Sequence, residues 1–200
     1  DTFLLIYELP EGEKKQYILQ RMNHTIFKNP VQLMENVVNV TEYLRKGILA
    51  AGGNPDRETL NVVKTKDGGI YYEDSAHNYW RMFLFIENTV CLEMVENAKD
   101  FYDSAAAFGN FQRMLANYPA QTLHETIPNF HNTPSRFLDF KRAVEKDVMG
   151  RANLAEKEIA FALSREGEAS ALTELLEKGE LPLRVTHNDT KLNNILFDAD

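Results

Sequence analysis

Val185-Thr186-His187-Asn188-Asp189-Thr190-Lys191-Leu192-Asn193-Asn194-Ile195-Leu196-Phe197-Asp198 is the stretch that decides how this 200-residue chain is read. A polar segment from His187 to Asn193 lies between two apolar runs, residues 183–186 and 195–197. The pattern predicts a loop between two short paired strands, held at both ends and able to present polar groups rigidly. Asp189 offers a carboxylate that can accept or orient a hydroxyl proton. Asn194 offers an amide oxygen, a hard neutral donor suited to Mg²⁺. Lys191 places a cation between them, able to offset charge on a transferring group. Together these are the parts that phosphoryl transfer to an alcohol needs. For any one residue alone, an Asn/Asp-rich turn that satisfies its own backbone explains the side chain as well.

Working outward, the chain before residue 87 reads as β-rich and the chain after it as mainly helical. Residues 2–8 (TFLLIYE) and 16–23 (QYILQRMN) predict a hairpin across the turn Pro10-Glu11-Gly12-Glu13. Asn29 predicts an N-cap and Pro30 the first position of a helix. Its apolar residues Val31, Met34, Val37, Val38 and Leu44 keep a 3.6-residue period, and Gly47 is expected to close it. Residues 61–65 and 70–73 flank Lys66-Asp67-Gly68-Gly69, a second hairpin signal. Residues 80–86 (WRMFLFI) predict a central strand. Helices are expected over 98–118, 134–147, 152–165 and 169–178, with Phe101, Phe108 and Phe111 on a core-facing stripe of the first. The resulting class is α+β with two lobes, 1–87 and 88–200, and a cleft between them.

Composition excludes several classes. Lys plus Arg number 22 and Asp plus Glu 30, a formal net charge of −8, with no basic cluster, so the chain is a poor partner for nucleic acid. Ten Gly and seven Pro without a period exclude a collagen-like chain. No apolar run approaches the roughly 20 residues of a spanning helix. The single cysteine, Cys91, can form no internal disulfide and fits a reducing, cytoplasmic setting. His24, His77 and His124 show no zinc-ligand spacing.

The spacing His187-x-Asp189-x-x-x-x-Asn194 resembles the catalytic loop of protein kinases and their small-molecule relatives. The chain is similar to the aminoglycoside phosphotransferase/choline kinase superfamily, and HNDTKLNN most resembles the bacterial N-acetylhexosamine 1-kinases. The segments 1–3, 17–21 and 130–133 carry the same resemblance less specifically. The resemblance implies a bilobal protein-kinase-like fold that uses ATP and Mg²⁺ to phosphorylate a small sugar. Asp189 would orient or deprotonate the acceptor hydroxyl, Lys191 would lie near the γ-phosphate, Asn194 would hold Mg²⁺, and His187 would prop up the loop. Arg21 would hold the α/β-phosphates with Glu35 positioning it, while Gln20, one register away, faces the other side of the sheet. Glu87 and Asn88 would lie in the hinge that meets the adenine edge. Two expected parts are missing: a phosphate-covering loop before residue 1 and a second metal-binding Asp after Phe197. The chain is therefore expected to be truncated at both ends, with Asp198 and Asp200 in a hairpin turn.

For the substrate, Phe130, His131 and Arg136 offer a stacking face and hydrogen-bonding groups suited to a sugar. The same segment also reads as a helix start with Thr133 as N-cap and Pro134 following it. Two other functions stay open: a kinase of an amino alcohol or aminoglycoside, and a truncated nucleotide-binding module without catalysis.

Overall fold

In the computed structural model, which describes residues 1–199, the chain divides into two compact units: Asp1–Ile127 with the segment from Arg184 onward, and Pro128–Leu183. The architecture is α+β.

The first unit is built on a sheet whose strands are ordered β1-β2-β4-β3. Strands β1 (Thr2–Glu8) and β2 (Lys14–Arg21) are rich in β-branched and aromatic residues and pair antiparallel, from Thr2 opposite Gln20 to Glu8 opposite Lys14. Gly12, at φ +83°, makes the turn between them, a backbone region that a side chain disfavours. β2 also pairs with β4 (Tyr79–Leu84), placing Gln20 opposite Arg81 and Ile18 opposite Phe83. β4 is thus internal, as its apolar run predicts.

The second expected hairpin is corrected. Its turn forms, with Gly68 N donating to Thr65 O at 2.9 Å and Thr65 N to Gly69 O at 2.9 Å. Its two arms do not pair with each other. Val62 bridges Phe83, and β3 (Tyr72–Glu73) pairs with Trp80 and Tyr79, so both arms use the free edge of β4. A long apolar strand already in the sheet offers more ladder and more buried surface than a two-stranded ribbon alone.

Helix α1 (Pro30–Ala50) starts where the sequence predicts, Asn29 accepting from Gln32 N. It ends later than Gly47. Gly47 stays helical, and Gly52 at φ +80° ends the helix, with Gly52 N donating to Leu49 O and Gly53 N to Ile48 O. Met34, with 0% exposure, lies on its buried face with Thr41, Leu44 and Ile48. The short helix α2 (Pro55–Glu58) follows. Helix α3 (Ala98–Met114) is capped by Asn97, which accepts from Lys99 N and Asp100 N, and it stops four residues short of the expected 118. Leu44 and Ile48 pack with Leu115 and Val185 into one cluster, against which Phe111, Tyr43 and Tyr118 lie. Phe101 departs from the expected core stripe at 67% exposure.

The segment around the polar loop is also corrected. Residues 183–186 form no strand; Val185 is drawn instead into the cluster of Leu44, Ile48 and Leu115. β6 (Phe197–Asp198) pairs with β5 (Thr89–Val90). Asp198 is therefore a strand residue, and Asp200 lies outside the described residues.

The second unit is helical. α4 (Thr133–Lys146) has Asn132 as its N-cap, accepting from Ser135 N, one residue before the expected Thr133. Asp147 ends it in the left-handed region, and its carboxylate accepts from Arg151 N and Ala152 N. The expected helix over 152–165 splits into a 3₁₀ turn, Ala152–Ala155, and α5 (Glu156–Leu163). α6 (Ala171–Glu177) closes the unit, and Gly179 at φ +73° follows it.

Candidate active site

The polar loop is held at both ends, though not by the strand pair expected. On the near side Val185 is buried at 9% exposure, and the Arg184 guanidinium donates to Ala116 O. The His187 ring rests against Phe108 and Phe111 of α3, with ring centres 5.4 and 5.9 Å apart. On the far side the β5–β6 pair holds the chain, and Cys91 Sγ lies 3.2 Å from Asn193 O. Arg57 clamps this end twice, donating to Glu87 O at 2.9 Å and pairing with Asp198 Oδ1. The loop thus has packed side chains under one end and hydrogen bonds at the other.

Between the anchors, the geometry brings three of the predicted residues together. A 3₁₀ turn, Leu192–Asn194, folds the chain back so that Asn194 Nδ2 donates to Asp189 O and Asp189 Oδ2, both at 2.8 Å. Lys191 Nζ lies 3.4 Å from the same Oδ2, and Lys191 N donates to Asp189 O at 3.0 Å. Asn188, at φ +63°, turns the backbone just before Asp189. The Asp189 and Lys191 side chains are 61% and 58% exposed, so both stay open to a ligand. The hydrogen bond from Asn194 holds the Asp189 carboxyl below its ordinary range, with Lys191 adding in the same direction. Asp189 is therefore an anion at neutral pH, an acceptor that can orient a hydroxyl. Asn194 spends its amide nitrogen on Asp189, which leaves its oxygen for a hard cation beside a carboxylate.

The remaining predicted residues are placed elsewhere. Arg21 ends β2 with Nη2 2.8 Å from Asp1 Oδ2 and Nη1 donating to Asn78 Oδ1 at 3.2 Å. Glu35, in α1, pairs with His124 Nε2 at 2.8 Å, so Arg21 and Glu35 each hold other partners. Asn36 beside it bonds both the N and O of His124. Glu87 contributes its carbonyl to Arg57, and Asn88, at φ +53°, accepts from Ala199 N at 3.0 Å. In the second unit Arg136 donates to Phe130 O at 2.7 Å and lies over the Phe130 ring, which meets His131 edge-on at 4.6 Å.

Sequence reading missed Arg57 and the contact of Cys91 with Asn193. Arg57 and Asp198 are 141 positions apart, and no local pattern marks such a pair. Phe108 and Phe111 were legible as an apolar stripe, though not as the seat of His187.

A family model described as the phosphotransferase enzyme family, APH, matches residues 7–200. The chain belongs to that family of kinases acting on small molecules, and the kinase-like α+β fold accords with it. Among the described residues no helix is long and apolar enough to cross a membrane.

Proposed function

We propose that the chain is an ATP- and Mg²⁺-dependent kinase that phosphorylates a hydroxyl of a small sugar, the anomeric hydroxyl of an N-acetylhexosamine being the substrate class read from HNDTKLNN. The lobes 1–87 and 88–200 and a cytoplasmic setting are part of this reading. The observation that carries it is the Asp189–Asn194–Lys191 triangle, in which one carboxylate oxygen is held by an amide 2.8 Å away and a cation 3.4 Å away. The hydroxyl oxygen attacks the γ-phosphorus, the bond to the β-phosphate oxygen breaks, and ADP leaves. Asp189 orients that hydroxyl and takes up its proton as the bond forms. Lys191 offsets charge on the transferring group. The donor set fits Mg²⁺: Asn194 would hold it by its side-chain oxygen, and the ion would supply charge neutralisation at the phosphates. His187 keeps the loop seated on α3. Arg21 and Glu35 serve the nucleotide side, Glu87 and Asn88 the hinge, and His131 and Arg136 the sugar.

The test is Asp189→Asn with coupled ADP detection on a panel of N-acetylhexosamines, amino alcohols and aminoglycosides. Turnover is expected to fall by about 10² or more while ATP still binds. Turnover retained within about threefold, well short of that range, would falsify the role of Asp189.

A further inference from the structure

No motif marks Arg57, yet its guanidinium joins two segments that the kinase reading uses. Nη1 donates at 2.9 Å to the carbonyl of Glu87, in the segment that would meet the adenine edge. Nη2 pairs with Asp198 Oδ1 in β6, the strand into which the reactive loop runs. A planar fork with two donors can hold two acceptors at a set separation, which the single point charge of an ammonium cannot. The Glu87 carbonyl keeps a second lone pair for another donor.

The helix that carries Arg57 is itself fixed from behind. Arg45 of α1 donates to Asp56 Oδ1 at 2.9 Å and to Pro55 O at 3.3 Å. Within α2 the Asn54 side chain accepts from Asp56 N at 3.0 Å, and Asn54 N donates to Glu58 Oε1 at 2.6 Å. Asn61 Nδ2 donates to Pro55 O at 3.2 Å, while Asn61 O accepts from Leu84 N at the end of β4. What Arg57 holds has less support of its own. The β5–β6 ladder is two residues long, a marginal pairing when alone. The Arg57 and Asp198 side chains are 36% and 67% exposed, so water screens their ion pair and its worth as a stabiliser is small. Its effect is geometric.

We propose that Arg57 is a positioning residue for phosphoryl transfer: one guanidinium sets the Glu87 carbonyl and the outgoing end of the reactive loop in a single frame, which keeps a nucleotide seated at 87–88 in register with Asp189 and Asn194. This role rests on the kinase reading above. Register matters because a displacement of about 1 Å at reacting groups costs on the order of 10²-fold in rate.

Arg57→Met in the full chain decides it, read by ATP titration calorimetry, amide hydrogen exchange and turnover. ATP is expected to bind about threefold or more weaker, a fraction of the loss for a charged hydrogen bond. Exchange should quicken across 186–194 and 87–90 and stay as in the parent across β2 and α1. The kcat should fall by about tenfold or more, with the acceptor KM within about twofold. Tm should move by no more than about 4 °C, the reach of an exposed pair in a chain of this size. Arg57→Lys should recover part of the loss; full recovery would show that charge alone suffices and would overturn the two-armed role. A larger Tm loss with exchange quickened throughout the unit, and kcat per folded molecule unchanged, marks a merely structural residue and overturns the role. So do unchanged ATP affinity and unchanged loop exchange. Should Arg57→Met not fold, Asp198→Ala replaces it: this cuts the loop end alone, so exchange across 186–194 should quicken with ATP affinity within about twofold, and unchanged exchange overturns the role. ATP that fails to bind the parent overturns the kinase reading and this role with it, whereas ATP binding and Asp189-dependent turnover that survive Arg57→Met intact overturn this role alone.

Discussion

Replacing Val185 by Ala tests whether the reactive loop is anchored by core packing. Val185 is 9% exposed and packs with Leu44, Ile48 and Leu115, while Leu183, two residues earlier, is 56% exposed. Val185→Ala removes two methyl groups, about 1.6 kcal/mol of transfer free energy at roughly 0.8 kcal/mol each. The cavity left in the cluster raises the cost to about 2–3 kcal/mol. For a chain of this size that lowers Tm by about 4–12 °C. Leu183→Ala, the matched control, is expected to change stability by no more than about 0.5 kcal/mol. The assay pairs thermal unfolding with amide hydrogen exchange across 186–194. Val185→Ala should speed exchange there, because the near end of the loop loses its seat. A Tm within about 1 °C of the parent, well under the stated shift, with unchanged loop exchange, would show that Val185 does not anchor the loop. Equal effects at both positions would point to a strand over 183–186, the arrangement the sequence predicts and the structure replaces.

Two further outcomes are expected. Asn36→Ala removes both hydrogen bonds to the His124 backbone and leaves a backbone N–H and C=O to find water; chemical denaturation should show a loss of about 1–2 kcal/mol, and no measurable loss would mean that this tie is replaced by solvent. The Asp74 carboxyl is held at about 2 by Trp80 Nε1–H and by Asn78. Its folded value lies below the ordinary 3.8, so its contribution is present above about 3.8 and is lost as pH falls towards 2. The stability deficit of Asp74→Asn should therefore be largest near neutrality and shrink over that window; urea titrations at several pH values giving a constant deficit would count against it.

The reactive loop was legible because its chemistry is local. Asp189, Lys191 and Asn194 lie within one turn and a half of chain, and a single 3₁₀ turn is enough to fold Asn194 back onto Asp189. The first hairpin and the start of α1 were legible for the same reason: Gly12 and Asn29 act on their immediate neighbours. The errors fall at contacts between distant segments. Gly47 and Gly52 both suit a helix end, and only the buried positions of Leu44 and Ile48 carry the helix past the first of them. Residues 61–65 and 70–73 carry a genuine turn, yet the edge of β4 competes for their ladder and wins.

What the sequence alone determined is therefore the class of the fold, the loop and the order of its reactive groups, since spacing and turn chemistry act over a few residues. The tertiary structure decided what supports them: Val185 beneath the loop, Phe108 and Phe111 beneath His187, and Arg57 across to Asp198. Each of these depends on which segment reaches a buried face or an unpaired backbone edge first. That competition is settled by burial and hydrogen-bond satisfaction across the whole unit, for which no short stretch of sequence carries a mark.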